Sequence, residues 1–233
     1  MSDRAASERF YRTVFAPLGV EPTACGDWLV EWDDFSLVPA DREHPVTRGL
    51  HIGFGARTRE LAAAFCRAGT AAGYRDDGPP GPRPEYGDDY FGAFLLDPDG
   101  NSAEAVDHET LRPDGNVDHL WIRVADVAAS KRFYETIAPF AGLRLTTDTP
   151  GREQFTGASG SFSVLAGTPT ENLHMAFGAS DDAAVDAFHG AATGAGYRDN
   201  GAPGERPVYH AGCYSAFVLD PDGNNVELVN HNR

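Results

Sequence analysis

The sequence predicts an α+β protein built from tandem β-α-β-β-β units, and three observations carry that prediction. The chain repeats itself at an offset of 123 residues, so that Leu50-His51-Ile52-Gly53-Phe54-Gly55-Ala56 aligns with Leu173-His174-Met175-Ala176-Phe177-Gly178-Ala179. Asp97-Pro98-Asp99-Gly100-Asn101 aligns with Asp220-Pro221-Asp222-Gly223-Asn224 at the same offset, and Glu104 with Glu227. Within each repeat, runs of period two are interleaved with stretches of helical periodicity. Residues 1–108 and 117–233 therefore read as two modules of ordinary domain size, joined by a short linker at 109–116 that contains Arg112-Pro113-Asp114-Gly115.

Taken in order, the first module is expected to open with a helix near residues 3–15, whose Arg9-Phe10-Tyr11 matches Arg132-Phe133-Tyr134 of the second. Strands near 27–32 and 35–39 follow, and a complete second unit runs from Leu50 to about Asp107. The second module starts with a strand over Val117–Val124. Leu120, Ile122 and Val124 share one face of it, and His119, Trp121 and Arg123 the other. Asp126 is placed to cap the next helix, which carries its apolar stripe from Ala128 to Ile137. Short strands at 143–147, 152–157 and 161–166 are separated by Pro/Gly or Gly/Ser punctuation. The closing unit has a strand at 172–178, a helix at 181–195 with Val185, Phe188 and Ala192 inward, and strands near 209–219 and 224–230. Between those last two strands, Asp220-Pro221-Asp222-Gly223 supplies a proline that presets φ and a glycine for the left-handed position of a turn.

His119 has no partner in the first module, because its equivalent would lie upstream of Met1. The first module thus begins inside a repeat unit, its opening strand either lost in evolution or missing through a short start. The strand next to that gap would expose its backbone along an edge, which a second copy would cover in a homodimer.

Composition narrows the function. A hydrophobic content of 41% over 233 residues suffices for two modest cores. No apolar run is long enough to cross a bilayer, and Met1-Ser2-Asp3-Arg4 opens no secretory signal, so a soluble cytoplasmic protein is expected. The three cysteines Cys25, Cys66 and Cys213 lack metal-type spacing and read as small buried hydrophobes. A formal net charge of −16 repels phosphate backbones and anionic lipid, which points away from nucleic acid and membrane partners and toward a small-molecule ligand.

The chemistry sits on the strand faces not needed for packing. His119, His174 and Glu227 each leave a strand opposite its large apolar residues. Two imidazoles and a carboxylate suit a divalent first-row metal, Fe(II), Zn, Mn, Ni or Co, and three protein ligands leave coordination positions open. His51 and Glu104 occupy the positions equivalent to His174 and Glu227.

The paired units, Phe133-Tyr134 on the first helix of the second module, Leu173-His174, the Asp220-Pro221-Asp222-Gly223-Asn224 turn and Glu227 together resemble the vicinal oxygen chelate superfamily. That superfamily contains glyoxalase I, bleomycin-resistance proteins and extradiol dioxygenases. The resemblance implies paired units curled into cup-shaped mixed sheets, with a metal held on the concave face by ligands from the first strand, the strand opening the second unit and the last strand. His119, His174 and Glu227 match those positions and are the preferred metal set. In some members a cup combines the first unit of one module with the second unit of the other, and His119 would then join His51 and Glu104. The fourth ligand of many glyoxalase I enzymes has no counterpart on the strand from Ser161 to Ala166, which offers only Ser161, Ser163 and apolar residues.

By the same resemblance, His210 would be an acid/base histidine and Tyr214 a substrate-orienting hydroxyl, both on the penultimate strand of the second module. Trp121 would line the pocket. His108 and His231, equivalent to each other, read as solvent-facing or capping groups. The expected function is a metal-dependent enzyme whose small substrate chelates the ion through adjacent oxygens, with extradiol-dioxygenase-like or glyoxalase-like chemistry. The alternatives are a non-catalytic protein that binds a small molecule or antibiotic, and below it a metal-dependent transferase adding a thiol to an antibiotic.

Overall fold

Each of the four α-helices in the structure, a computed structural model that describes residues 1–112, 114–158 and 160–232, starts at a side-chain oxygen that caps it. Asp3 accepts from the Ala6 N–H ahead of α1 (Arg4–Phe15), and Thr58 from that of Leu61 ahead of α2 (Arg59–Ala71). Asp126 and Asp181 do the same for α3 (Val127–Ile137) and α4 (Asp182–Gly194). These caps satisfy amides that the first helical turn leaves without partners. Among the described residues no helix is long and apolar enough to cross a membrane.

The chain divides into two units, residues 1–121 with 159–161, and the remainder. The division falls inside the strand Val117–Val124, so the expected linker 109–116 belongs to the first unit; its Pro113 lies outside the described residues. In the first unit α1 precedes a small antiparallel sheet of β1 (Ala24–Cys25), β2 (Val30–Trp32) and β3 (Phe35–Leu37). Next come β4 (His51–Gly55), α2, β5 (Asp76–Pro82), β6 (Phe91–Leu96) and β7 (Ser102–Asp107). β4 lies parallel to β7, a pairing that needs a crossover connection, here α2, β5 and β6. On its other edge β4 pairs antiparallel with β8 (Val117–Val124), with Gly53 opposite His119. The core under α1 is aromatic: Phe10, Tyr11, Phe15, Trp32, Phe54 and Phe65 are all buried.

The second unit repeats the pattern after β8 and α3, with β9 (Arg144–Thr149), β10 (Arg152–Gly157) and β11 (Gly160–Ala166). Its second half is a mixed sheet ordered β12-β15-β14-β13, formed by β12 (His174–Gly178), β13 (Arg198–Glu205), β14 (Tyr214–Leu219) and β15 (Asn225–Asn230). Phe133, Tyr134, Phe155, Phe162 and Phe188 fill its core. The α+β class and the β-α-β-β-β order expected from the sequence are present. The Gly/Pro-rich strands β5 and β13 are additions to the sequence reading. Both lie at sheet edges and carry irregular register, the setting in which proline and glycine are tolerated in a strand. The strand expected to begin near 209 begins at Tyr214, because residues 206–213 close a turn through Arg206 N–H to Cys213 O and Cys213 N–H to His210 O.

The repeated Asp-Pro-Asp-Gly-Asn segment does more than turn the chain. Asp220 Oδ1 accepts from the amides of Asp222 (3.0 Å) and Asn224 (2.8 Å), and Gly223 takes φ +91°. Tyr134 on α3 donates its hydroxyl to Asp220 Oδ2 at 3.0 Å, while Asn224 Oδ1 accepts from Leu173 N at 3.0 Å beside the start of β12. Asp97, Asn101, Tyr11 and Leu50 make the same set in the first unit. One turn thus ties a helix to the strand pair that carries the histidine and the glutamate. Tyr134→Phe removes a buried charge-assisted bond and is expected to cost about 2 kcal/mol in urea unfolding, with no change in secondary structure by circular dichroism.

Candidate functional site

Three ligand-type side chains converge in the first unit. β4 and β7 run parallel and bring His51 beside Glu104, and the antiparallel partner β8 carries His119 across Gly53. His51 Nε2 and His119 Nε2 lie 3.2 Å apart, and each is close to Glu104 Oε2, at 3.1 and 3.2 Å. Glu104 and His119 are buried and the His51 side chain is only 12% exposed.

The surroundings decide where the protons sit. Ser102 donates its hydroxyl to Asp77 Oδ2 at 2.7 Å, so its oxygen accepts from His51 Nδ1 at 3.1 Å. Asp118 Oδ2 accepts from His119 Nδ1 at 2.9 Å and from His108 Nε2 at 3.1 Å. Tyr90 donates to Glu104 Oε1 at 2.9 Å, which leaves Oε2 facing the histidines. In the neutral rings, therefore, three lone-pair atoms point at one another, and only a cation between them relieves the repulsion. A proton serves when nothing else is present. Burial disfavours the His119 imidazolium, yet hydrogen bonds to Asp118 and Glu104 outweigh it and lift its pKa to about 9. Burial dominates at His51 and lowers its pKa, and for Glu104 the hydrogen bonds from both histidines overcome burial and lower it.

The arrangement also fits a metal ion. Two donors at about 2.0–2.1 Å from one ion in tetrahedral geometry are about 3.3 Å apart, close to the spacings seen here. The carboxylate and hydroxyl partners that hold each ligand are the kind that fix metal-binding imidazoles. Two glycines keep the space open. A β-carbon on Gly53 would come within 3.0 Å of three His119 ring atoms, and one on Gly92 would meet Glu104 Oε1. Their equivalents in the second unit are Ala176 and Ser215.

Residues 116–228 match the family model described as Glyoxalase/Bleomycin resistance protein/Dioxygenase superfamily. The match identifies this segment as a domain of that superfamily. Among solved structures, glyoxalase I from Zea mays is similar over 100% of this chain and 90% of its own, with 19% identity and a TM-score of 0.68. Two point mutants of that enzyme, also 19% identical over 100% of this chain, give TM-scores of 0.69 and 0.71 over 90% and 91% of their own lengths. At that identity the likeness establishes the fold alone, over both units. No curated protein matches the sequence.

Against this superfamily frame, the structure sorts the residues expected from the sequence. His119 joins His51 and Glu104, the second of the two sets considered, and the preferred grouping with His174 and Glu227 is not the one assembled. The reason is register: β8 pairs with β4 so that His119 faces Gly53. His174 and Glu227 form their own pair, Nε2 to Oε2 at 2.9 Å, with 47% of the His174 side chain exposed. Trp121 does stand beside the cluster, its ring centroid 5.1 Å from that of His51 and 5.7 Å from that of His119, with Tyr86 edge-on to it at 5.1 Å.

The other expectations change more. Tyr214 does not share the face of Glu227, because Glu227 pairs with Phe217, an odd number of residues along β14. The Tyr214 hydroxyl instead donates to Asp186 on α4 at 2.9 Å. His210 lies in the turn before β14, its Nε2 3.0 Å from Nδ1 of His231, which follows β15. His108 is no solvent-facing cap, since it shares Asp118 with His119. Cys25 is exposed, whereas Cys66 and Cys213 are buried as expected. Tyr90, Asp118, Ser102 and Asp77 escaped the sequence reading. A signal for three of them exists where the repeats diverge, because their equivalents are Cys213, Asn225 and Asn200.

Gly53→Ala tests the packing of this cluster directly. The added methyl is expected to push the His119 ring away from Glu104, and the His119 pKa in a histidine NMR titration of the metal-free protein is expected to fall from about 9. Ala176→Gly, the converse change in the second unit, is expected to leave that titration where it is.

Proposed function

We propose that the chain is a metal-dependent enzyme of the vicinal oxygen chelate type, acting on a small substrate that binds a divalent ion through two adjacent oxygens, with His51, Glu104 and His119 as the ligands. The observation that supports this most is the convergence of three lone-pair atoms at 3.1–3.2 Å inside a shell of hydrogen bonds that holds each one in place. The ion, one of Fe(II), Zn, Ni, Mn or Co by the donor set, supplies Lewis acidity toward the substrate oxygens when bound.

The residues around it have separate tasks. Asp118 keeps the proton on His119 Nδ1, so that Nε2 gives up its proton when the ion is taken, and Ser102 does the same for His51. Tyr90 binds Glu104 Oε1 and holds the carboxylate to one contact through Oε2. Trp121 and Tyr86 form an aromatic wall beside both histidines, which orients a planar substrate and keeps water from that side.

The test is reconstitution of the metal-free protein with each ion in turn, followed by assay with a hemithioacetal and with a catechol. One equivalent of metal at His51, Glu104 and His119 and turnover of one substrate class are expected. His119→Ala is expected to weaken metal binding at the first-unit ligands at least hundredfold and to abolish turnover, while His174→Ala keeps that metal. Failure of the wild-type protein to bind any of the ions would overturn the reading. Metal uptake without turnover of either class would leave only binding. Tyr90→Phe, which removes one outer contact, is expected to lower metal affinity by about 10- to 100-fold in a competition titration.

A further inference from the structure

A second cluster of ligand-type side chains lies in the other unit, away from the residues used above. His210, Cys213 and His231 each offer an atom within 4.8 Å of the other two. The turn over 206–213 places His210 and Cys213 three residues apart, and His231 follows the last strand. His210 Nδ1 lies 3.0 Å from the carbonyl oxygen of Ala211, which can only accept, so this nitrogen carries the ring proton. Nε2 is then the lone-pair atom, and it faces His231 Nδ1 at 3.0 Å. Asn232 clamps the same turn from the tail by donating to Gly212 O at 2.8 Å.

Comparison of the two repeats shows what this region replaced. In the first unit the equivalent positions hold Gly87, Tyr90 and His108, and Tyr90 stacks on His108 with ring centroids 5.5 Å apart. In the second unit the phenol gives way to a thiol and the glycine to an imidazole. A ring that filled the space is exchanged for two metal-binding groups around the retained histidine.

We propose that His210, Cys213 and His231 form a second metal site, with one thiolate and two imidazole ligands, for a borderline divalent ion of the Zn²⁺ class. Sulfur and imidazole together suit zinc, and the nitrogen-oxygen set of the first unit differs from it in containing no sulfur. Cys213 is buried and His231 is exposed, so the ion would enter from the surface and tie the 206–213 turn to the chain beyond β15.

Co²⁺ added to the reduced full-length protein distinguishes this site from the one in the first unit, because only thiolate ligation gives a sulfur-to-cobalt charge-transfer band in the near ultraviolet. The band is expected to reach the intensity of one thiolate-bound Co²⁺ per chain, to vanish in Cys213→Ser, to weaken at least tenfold in apparent affinity in His231→Ala, and to persist in His119→Ala. His231→Ala alters an exposed position and guards against a folding defect in the Cys213 variant. Absence of the band in the wild-type protein, its survival in Cys213→Ser, or an unchanged affinity in His231→Ala would each overturn the proposal. None of these outcomes depends on whether the first unit binds metal or turns over a substrate.

Discussion

The site in the first unit depends on one backbone pairing, that of β4 with β8 in the register that sets Gly53 opposite His119. His51 and Glu104 are brought together locally, by two parallel strands joined through α2 and clamped by the Asp97 turn. His119 arrives from the far side of β4, and nothing in the sequence around it states that it will. A shift of the pairing by one residue would turn His119 to the opposite face of the sheet. Gly53 is what allows the correct register to be used, since any side chain there would take the volume of the imidazole.

That dependence explains how much of the molecule could be read from the chain. The repeat, the α+β class and the helix cap Asp126 follow from local chemistry and periodicity, and they stand in the structure. His51, Glu104 and His119 were recognisable as ligand types on the free faces of strands. Their grouping was not, because two sets were equally compatible with the strand periodicity and only the long-range register separates them. β5 and β13 were invisible for the opposite reason: their proline and glycine content reads as loop, and only a neighbouring strand stabilises them as sheet edges.

The outer residues were hidden by a different kind of silence. Asp118 looks like any acidic residue next to a histidine, and its role appears only when His108 and His119 are seen to share it. Tyr90 is marked by what stands in its place in the other repeat. Where Glu104 has Tyr90, Gly92 and the Ser102–Asp77 relay, the second unit has Cys213, Ser215 and the neutral pair Asn225 and Asn200, hydrogen-bonded at 2.9 Å. Divergence between internal repeats thus carries information about a site that composition and periodicity lack.

The two histidine–glutamate pairs differ in what they leave unsatisfied. In the second unit one imidazole and one carboxylate oxygen meet at 2.9 Å at a partly exposed surface, and a single shared proton completes them. Such a pair gains little and demands nothing further. In the first unit a second imidazole is added to the same geometry and the cluster is largely buried, so the one proton on His119 Nε2 is shared between Glu104 Oε2 and the His51 lone pair, each at 3.2 Å. Burial makes that residual mismatch expensive, and a divalent ion resolves it by accepting from all three atoms at once. On the proposed reading the cluster is a binding site, because one proton shared between two acceptors leaves a pairing that a divalent ion would complete.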